Sequence, residues 1–215
     1  MIRLSILALL TAALGAAGPT QAADRSAMFK NGHVGNCASC HGRGGKNRFE
    51  FNKAQSRVAF RVDNFGYAAA TGSFERLEGG FVFDPASVGK SSVVATIHTE
   101  SIGTQDALLD SILRSERFFD VARFPYMTFS STGIEVTGQE TGRITGDLTL
   151  RGVTRRVTLD VRFNKAGPHP VTKQYLAGFS VTGSLRRRDF GMTLGLPGIG
   201  DEVTITIEVV GRRLD

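Results

Sequence analysis

A chain of 215 residues, 41% hydrophobic and 21% charged, holds enough apolar material for one sizeable core and excludes a disordered polymer. The formal charge of +6 leaves acidic surfaces open as partners. Its densest basic cluster, Arg186-Arg187-Arg188, is short and followed at once by Asp189, so no nucleic-acid module is expected.

At the N-terminus, Arg3 precedes an apolar run from Leu4 to Ala17, and small residues follow around Ala22 and Ala23. This is the form of a cleavable secretory signal over residues 1–22, and the run is too short to cross a bilayer comfortably. The mature protein is expected in the periplasm.

Residues 23–48 form a polar, Gly-rich segment carrying Cys37-Ala38-Ser39-Cys40-His41. C-x-x-C-H is the attachment signature of c-type haem. The Cys37 and Cys40 thiols would add to the haem vinyl groups, and His41 would reach the haem iron. Met28, His33, His98 and His169 are the available second axial ligands, and the segment is short for a complete cytochrome c. Three readings stay open: covalent haem c, a cytochrome remnant that no longer binds it, and a disulfide or dithiol in an oxidising compartment. A four-ligand zinc site is disfavoured, because the other histidines lack paired ligand spacing.

From 49 to 215 the chain reads as one body of period-two alternation, the signature of half-buried strands. The apolar faces begin with Val58, Phe60 and Val62, then Phe81 and Phe83, then Val93, Ala95 and Ile97. Next come Met127 and Phe129, the run Ile144, Leu148 and Leu150, and the run Val157 to Phe163. Ala177, Phe179 and Val181 follow, and Val203 to Val209 closes the series. Turn residues such as Asp84-Pro85, Gly152 and Gly167-Pro168 separate these eight candidates. Eight antiparallel strands suit a sandwich or a closed barrel, and periodicity does not choose between them. One segment differs: Ala107, Leu108, Leu109, Ile112 and Leu113 recur at helical spacing after Thr104, a candidate N-cap. This helix is expected to cover one end of the barrel or to pack on its outside.

The body resembles the YceI-like family of polyisoprenoid-binding, lipocalin-like proteins. The residues that carry the resemblance run in order from Ser56-Arg57-Val58-Ala59-Phe60 to Arg188-Asp189-Phe190-Gly191-Met192. Between them lie Gly80-Phe81-Val82-Phe83-Asp84, Ser101-Ile102-Gly103-Thr104, Phe118-Phe119-Asp120-Val121 and Thr145-Gly146-Asp147-Leu148-Thr149. The resemblance implies an all-β fold, an eight-stranded antiparallel lipocalin-like barrel with one short helix, that holds an isoprenoid chain and has no catalytic residue. Two histidines that often flank the first strand in that family are replaced here by Gln55 and by Asp63-Asn64, so the ligand's head is expected to differ.

Phe60, Val62, Phe74, Phe81, Met127, Phe129, Phe179 and Phe190 are the candidate ligand-facing residues, each equally suited to solid core packing. Arg188 is the candidate partner for a phosphate or polar head, or else a surface charge. The expected function is a carrier or reservoir for a polyisoprenoid or similar apolar chain, not an enzyme. The alternative is a periplasmic haem c electron carrier acting with an isoprenoid quinone. A membrane surface and a second copy of the chain stay open as macromolecular partners.

Overall fold

The computed structural model describes residues 47–214. The expected signal over 1–22 and the residues Cys37, Cys40 and His41 fall outside them.

Each alternating run becomes a strand. In chain order the elements are β1 (Arg48–Phe51), β2 (Arg57–Asn64), β3 (Ala68–Phe74), β4 (Leu77–Val82), β5 (Ser92–His98), β6 (Ile102–Gly103) and helix α1 (Ala107–Arg114). Then come β7 (Tyr126–Val136), β8 (Thr141–Leu150), β9 (Val153–Pro168), β10 (Tyr175–Arg186) and β11 (Ile199–Arg213). Strands β4, β5, β7, β8, β9, β10 and β11 are successive neighbours, and β1 pairs with both β4 and β11, which closes the ring. All the pairings are antiparallel. Beyond β1, strand β2 takes over beside β11, and β3 takes over from β4 beside β2. Each of these two pairs is one bent stave, so the segments build an eight-stranded closed barrel. Closure removes the free edges an open sheet would leave.

The bend between β1 and β2 is held by Ser56, a buried hydroxyl. Its Oγ accepts from Val210 N at 3.2 Å and donates to Val210 O at 3.3 Å, standing in for the ladder where the backbone departs. At the β8–β9 turn, Arg151 and Gly152 both take positive φ, 51° and 73°, as a two-residue hairpin requires.

Antiparallel order gives the barrel two distinct ends. At the hairpin end lie the chain's entry at Arg48 and the β4–β5, β7–β8 and β9–β10 connections. The helical end carries the β2–β3 and β8–β9 turns, α1 and the β10–β11 connection. Arg151 fastens the helical end together, donating to Gly191 O at 2.9 Å and to Glu116 O at 3.0 Å.

Helix α1 starts later than its sequence suggested. Asp106, not Thr104, is the N-cap, accepting from Leu108 N at 2.9 Å and Leu109 N at 3.2 Å. Thr104 is engaged instead by Asp110 Oδ1, at 2.8 Å to its backbone N and 2.7 Å to its hydroxyl. Arg114 ties the helix to β6 and to the turn before it by donating to Ile102 O and Glu100 O.

Candidate functional site

The inward faces of the strands pack against one another in places and leave space between them elsewhere. They surround two adjacent cavities. One, of about 320 Å³, opens at the hairpin end. The other, of about 290 Å³, runs beneath the helical end. Phe51, Val93, Ile144, Val181 and Val209 line both, and the stretch they share, midway along the barrel, is termed the waist. Each volume sits near the lower end of the ~300–1,000 Å³ typical of ligand pockets.

The side chains around the two cavities follow strand parity. On β2, Val58, Phe60 and Val62 face inward; on β11, Val203, Ile205, Ile207 and Val209 do. Phenylalanines gather in two groups. At the hairpin end, Phe179 meets Phe81, Phe83 and Phe163 with ring centroids 5.3, 5.2 and 5.5 Å apart, and Phe81 stacks on Phe49 at 4.9 Å. At the helical end, Phe74 packs between Phe60 at 5.9 Å and Phe119 at 5.3 Å. Such offset and edge-on contacts stabilise beyond area burial alone. Large rings also need room. A Cβ on Gly211 would lie 2.4 Å from the Phe81 ring and 2.8 Å from Phe49 Cβ, so only glycine fits beneath that stack.

Of the candidate ligand-facing residues, Phe60, Val62, Phe74, Met127 and Phe129 line the inner cavity. Phe81 and Phe179 line the outer one. Phe190 lines neither; it is 2% exposed, in the same packed cluster as Phe74, Phe81, Met127 and Phe129 but away from both cavities. Arg188 also lines neither, and its Nε is paired with Asp201 Oδ2 at 2.7 Å on the outside. Its neighbour Arg187 is the basic residue that lines the inner cavity.

Arg187 is 4% exposed. Its Nε donates to Gly200 O at 2.7 Å and its Nη1 to Met192 O and Leu194 O at 2.8 and 2.9 Å. Its Nη2 donates to Ile199 O at 2.9 Å. Burial pushes its pKa below the ordinary arginine value; Asp201 opposes the shift and Arg188 adds to it. The remaining polar residues around the inner cavity are Asn64, Thr104 and Ser184, all toward the helical end. Everything else lining it is apolar.

Helix α1 covers this end with a double face. Leu109 and Leu113 line the inner cavity, one turn apart. Leu108 and Ile112, also one turn apart, point outward and are 71% and 41% exposed. The turn after the helix sends Phe118 and Phe119 back to the cavity wall. The sequence pattern flagged the helix but not its two faces, because five apolar residues in seven positions fit either orientation.

Outside the barrel, His98 Nε2 lies 3.5 Å from Glu78 Oε1, and Lys53 Nζ lies 3.0 Å from the same oxygen. The hydrogen bond from Lys53 holds the Glu78 carboxyl below its ordinary pKa, against the opposing effect of burial. Among the described residues, no group of three or more His, Cys, Asp or Glu is placed to hold a metal ion.

Comparison with known proteins agrees with this architecture. Residues 49–211 match the model of the YceI-like domain. The chain is 39% identical to protein YceI of Salmonella arizonae over 154 residues, covering 72% of this chain and 80% of that relative. Among solved structures, Campylobacter jejuni YceI protein superposes with a TM-score of 0.62 at 28% identity, covering 69% of this chain and 87% of that one. Burkholderia cenocepacia BcnA superposes with a TM-score of 0.68 at 24% identity, covering 74% and 98%. A polyisoprenoid binding domain from Saccharophagus degradans shares the fold at a TM-score of 0.55 and 16% identity, covering 77% and 98%. With its barrel matched almost from end to end, this chain belongs to the YceI-like family.

Proposed function

We propose that the protein is an exported, periplasmic lipid-binding barrel that holds one long apolar chain, a polyisoprenoid or close analogue, as carrier or reservoir and without chemical turnover. One observation carries this reading: two adjoining, mostly apolar cavities that share five wall residues within a closed barrel. A long, thin ligand suits that shape better than a compact one, because it would occupy both chambers through the waist. Its affinity would come from area, at about 25 cal/mol per Å² of apolar surface removed from water. The polyisoprenoid-binding neighbour of the same fold supports the choice of chain.

Such a ligand partitions into bilayers, so the barrel must meet a lipid surface to load or unload. Phe65, Tyr67, Leu108, Ile112 and Leu194 are exposed on the connections of the helical end. We take this rim as the contact with the lipid surface. The test is organic extraction of the protein purified from its native host, followed by mass spectrometry. Recovery of a stoichiometric isoprenoid chain is expected. Protein that carries none, and takes none up from vesicles, contradicts the proposal.

The spacing Cys37-x-x-Cys40-His41 supports a second proposal, covalent haem c on the segment just before β1, serving electron transfer with a quinone whose tail enters the barrel. Cys37 and Cys40 would hold the haem and His41 its iron. Intact mass under denaturing conditions decides it: an added haem is expected, and an unmodified mature chain from the native host removes this reading.

A further inference from the structure

The inner cavity is apolar along its length except at the helical end, where a buried cation lies in its wall. A guanidinium has five N–H donors. In Arg187, Nε, both hydrogens of Nη1 and one of Nη2 are engaged by backbone carbonyls, which leaves one Nη2 hydrogen without an acceptor among the described residues. Among the described residues no carboxylate lies within ion-pairing distance of it; Asp201 is engaged by Arg188 at 2.7 Å and accepts from its backbone N at 3.1 Å. An unfilled donor on a buried charged group costs more than one left in water. Nearby, Asn64 and Ser184 also border the cavity but are solvent-exposed at its rim, and the Thr104 hydroxyl is committed to Asp110.

We propose that this end is the head subsite of the lumen, and that Arg187 selects ligands whose apolar chain ends in a single oxygen acceptor, such as a carbonyl. The inference rests on the lipid-holding reading and deepens it. One free N–H cannot form the two-pronged clamp that arginine offers to a carboxylate or phosphate. A neutral carbonyl fits the remaining capacity: it needs one donor and little desolvation. The ligand is thereby oriented, its head beneath α1 and its tail running through the waist toward Phe83 and Phe163. The sequence offered Arg188 as partner for a phosphate or polar head, or else as a surface charge; in the 3₁₀ turn at Arg187–Phe190 it points outward to Asp201 and its neighbour Arg187 lines the cavity.

The test compares 2-heptadecanone with heptadecane, two chains of equal length of which one carries a carbonyl. Delipidated wild-type protein should bind both. In Arg187→Met, binding of the ketone should weaken about tenfold, as for loss of a hydrogen bond to a charged group, while heptadecane changes less than about twofold. Because Arg187 also holds the β10–β11 connection, the infrared spectrum of the ketone bound to wild-type protein supplies a second readout. Its carbonyl stretch should fall below the value in hydrocarbon solvent. An unshifted stretch, or equal weakening of ketone and alkane in the variant, overturns the head subsite while leaving the barrel reading intact. Failure of wild-type protein to bind either chain overturns both.

Discussion

Single side chains set the shape of the lumen. Glycine at 211 allows Phe81 to lie flat on Phe49. Gly211→Ala is expected to push both rings off their rotamers and destabilise the barrel by about 1–3 kcal/mol, read from the denaturant midpoint. At Glu78, the hydrogen bond from Lys53 depresses the carboxyl pKa. A depressed carboxylate contributes stability that is fully present above its unfolded value, near 4.5, and is lost as pH falls through the lower folded value. The wild-type protein should therefore lose more stability than Glu78→Gln when the pH is lowered through that window, as followed by thermal melts. An equal loss in both would show that Glu78 makes no such contribution. Among the arginines, sequence could not tell residue 187 from 188. Strand alternation assigns faces along β10 but ends at Arg186, and the tight turn that follows obeys a different geometry.

At the scale of elements, alternation located the strands where side chains differ in polarity, as in β2, β9 and β11. It missed β1, which is only four residues long, and β3, where Ala68, Ala69, Ala70 and Gly72 offer little contrast. Both are halves of bent staves, and nothing in a local pattern announces that two short runs share one neighbour. The helix was legible, but its cap was not: Asp106 and Thr104 are both good caps, and Asp110 decides by engaging Thr104. Asp106→Ala should cost about 1 kcal/mol of stability by removing the acceptor for two helix N–H groups, measured by thermal or denaturant unfolding. The outward pair Leu108 and Ile112 contributes little to the core. Replacing both with Ser should leave the melting temperature nearly unchanged and reduce co-flotation with lipid vesicles. Unchanged flotation would move the lipid contact elsewhere on the surface.

For the whole molecule, the inward face of each strand was readable, but the space between those faces was not. Parity says which side chains point to the axis. Barrel radius, set by eight staves and their stagger, decides whether they meet. Hence Phe60, Phe81 and Phe179, equally suited to core or ligand contact in sequence, become cavity walls only once the ring is closed. Phe190, of the same residue type, lines neither cavity. An extended apolar chain proposed for the lumen would make affinity depend on chain length. The most direct test is a titration of the delipidated protein with isoprenoid alcohols of increasing length. Affinity should climb with each added isoprene unit, because every unit buries more apolar surface, and then level off once inner chamber, waist and outer chamber are filled. No binding at any length, or affinity indifferent to length from the shortest alcohol onward, would contradict it.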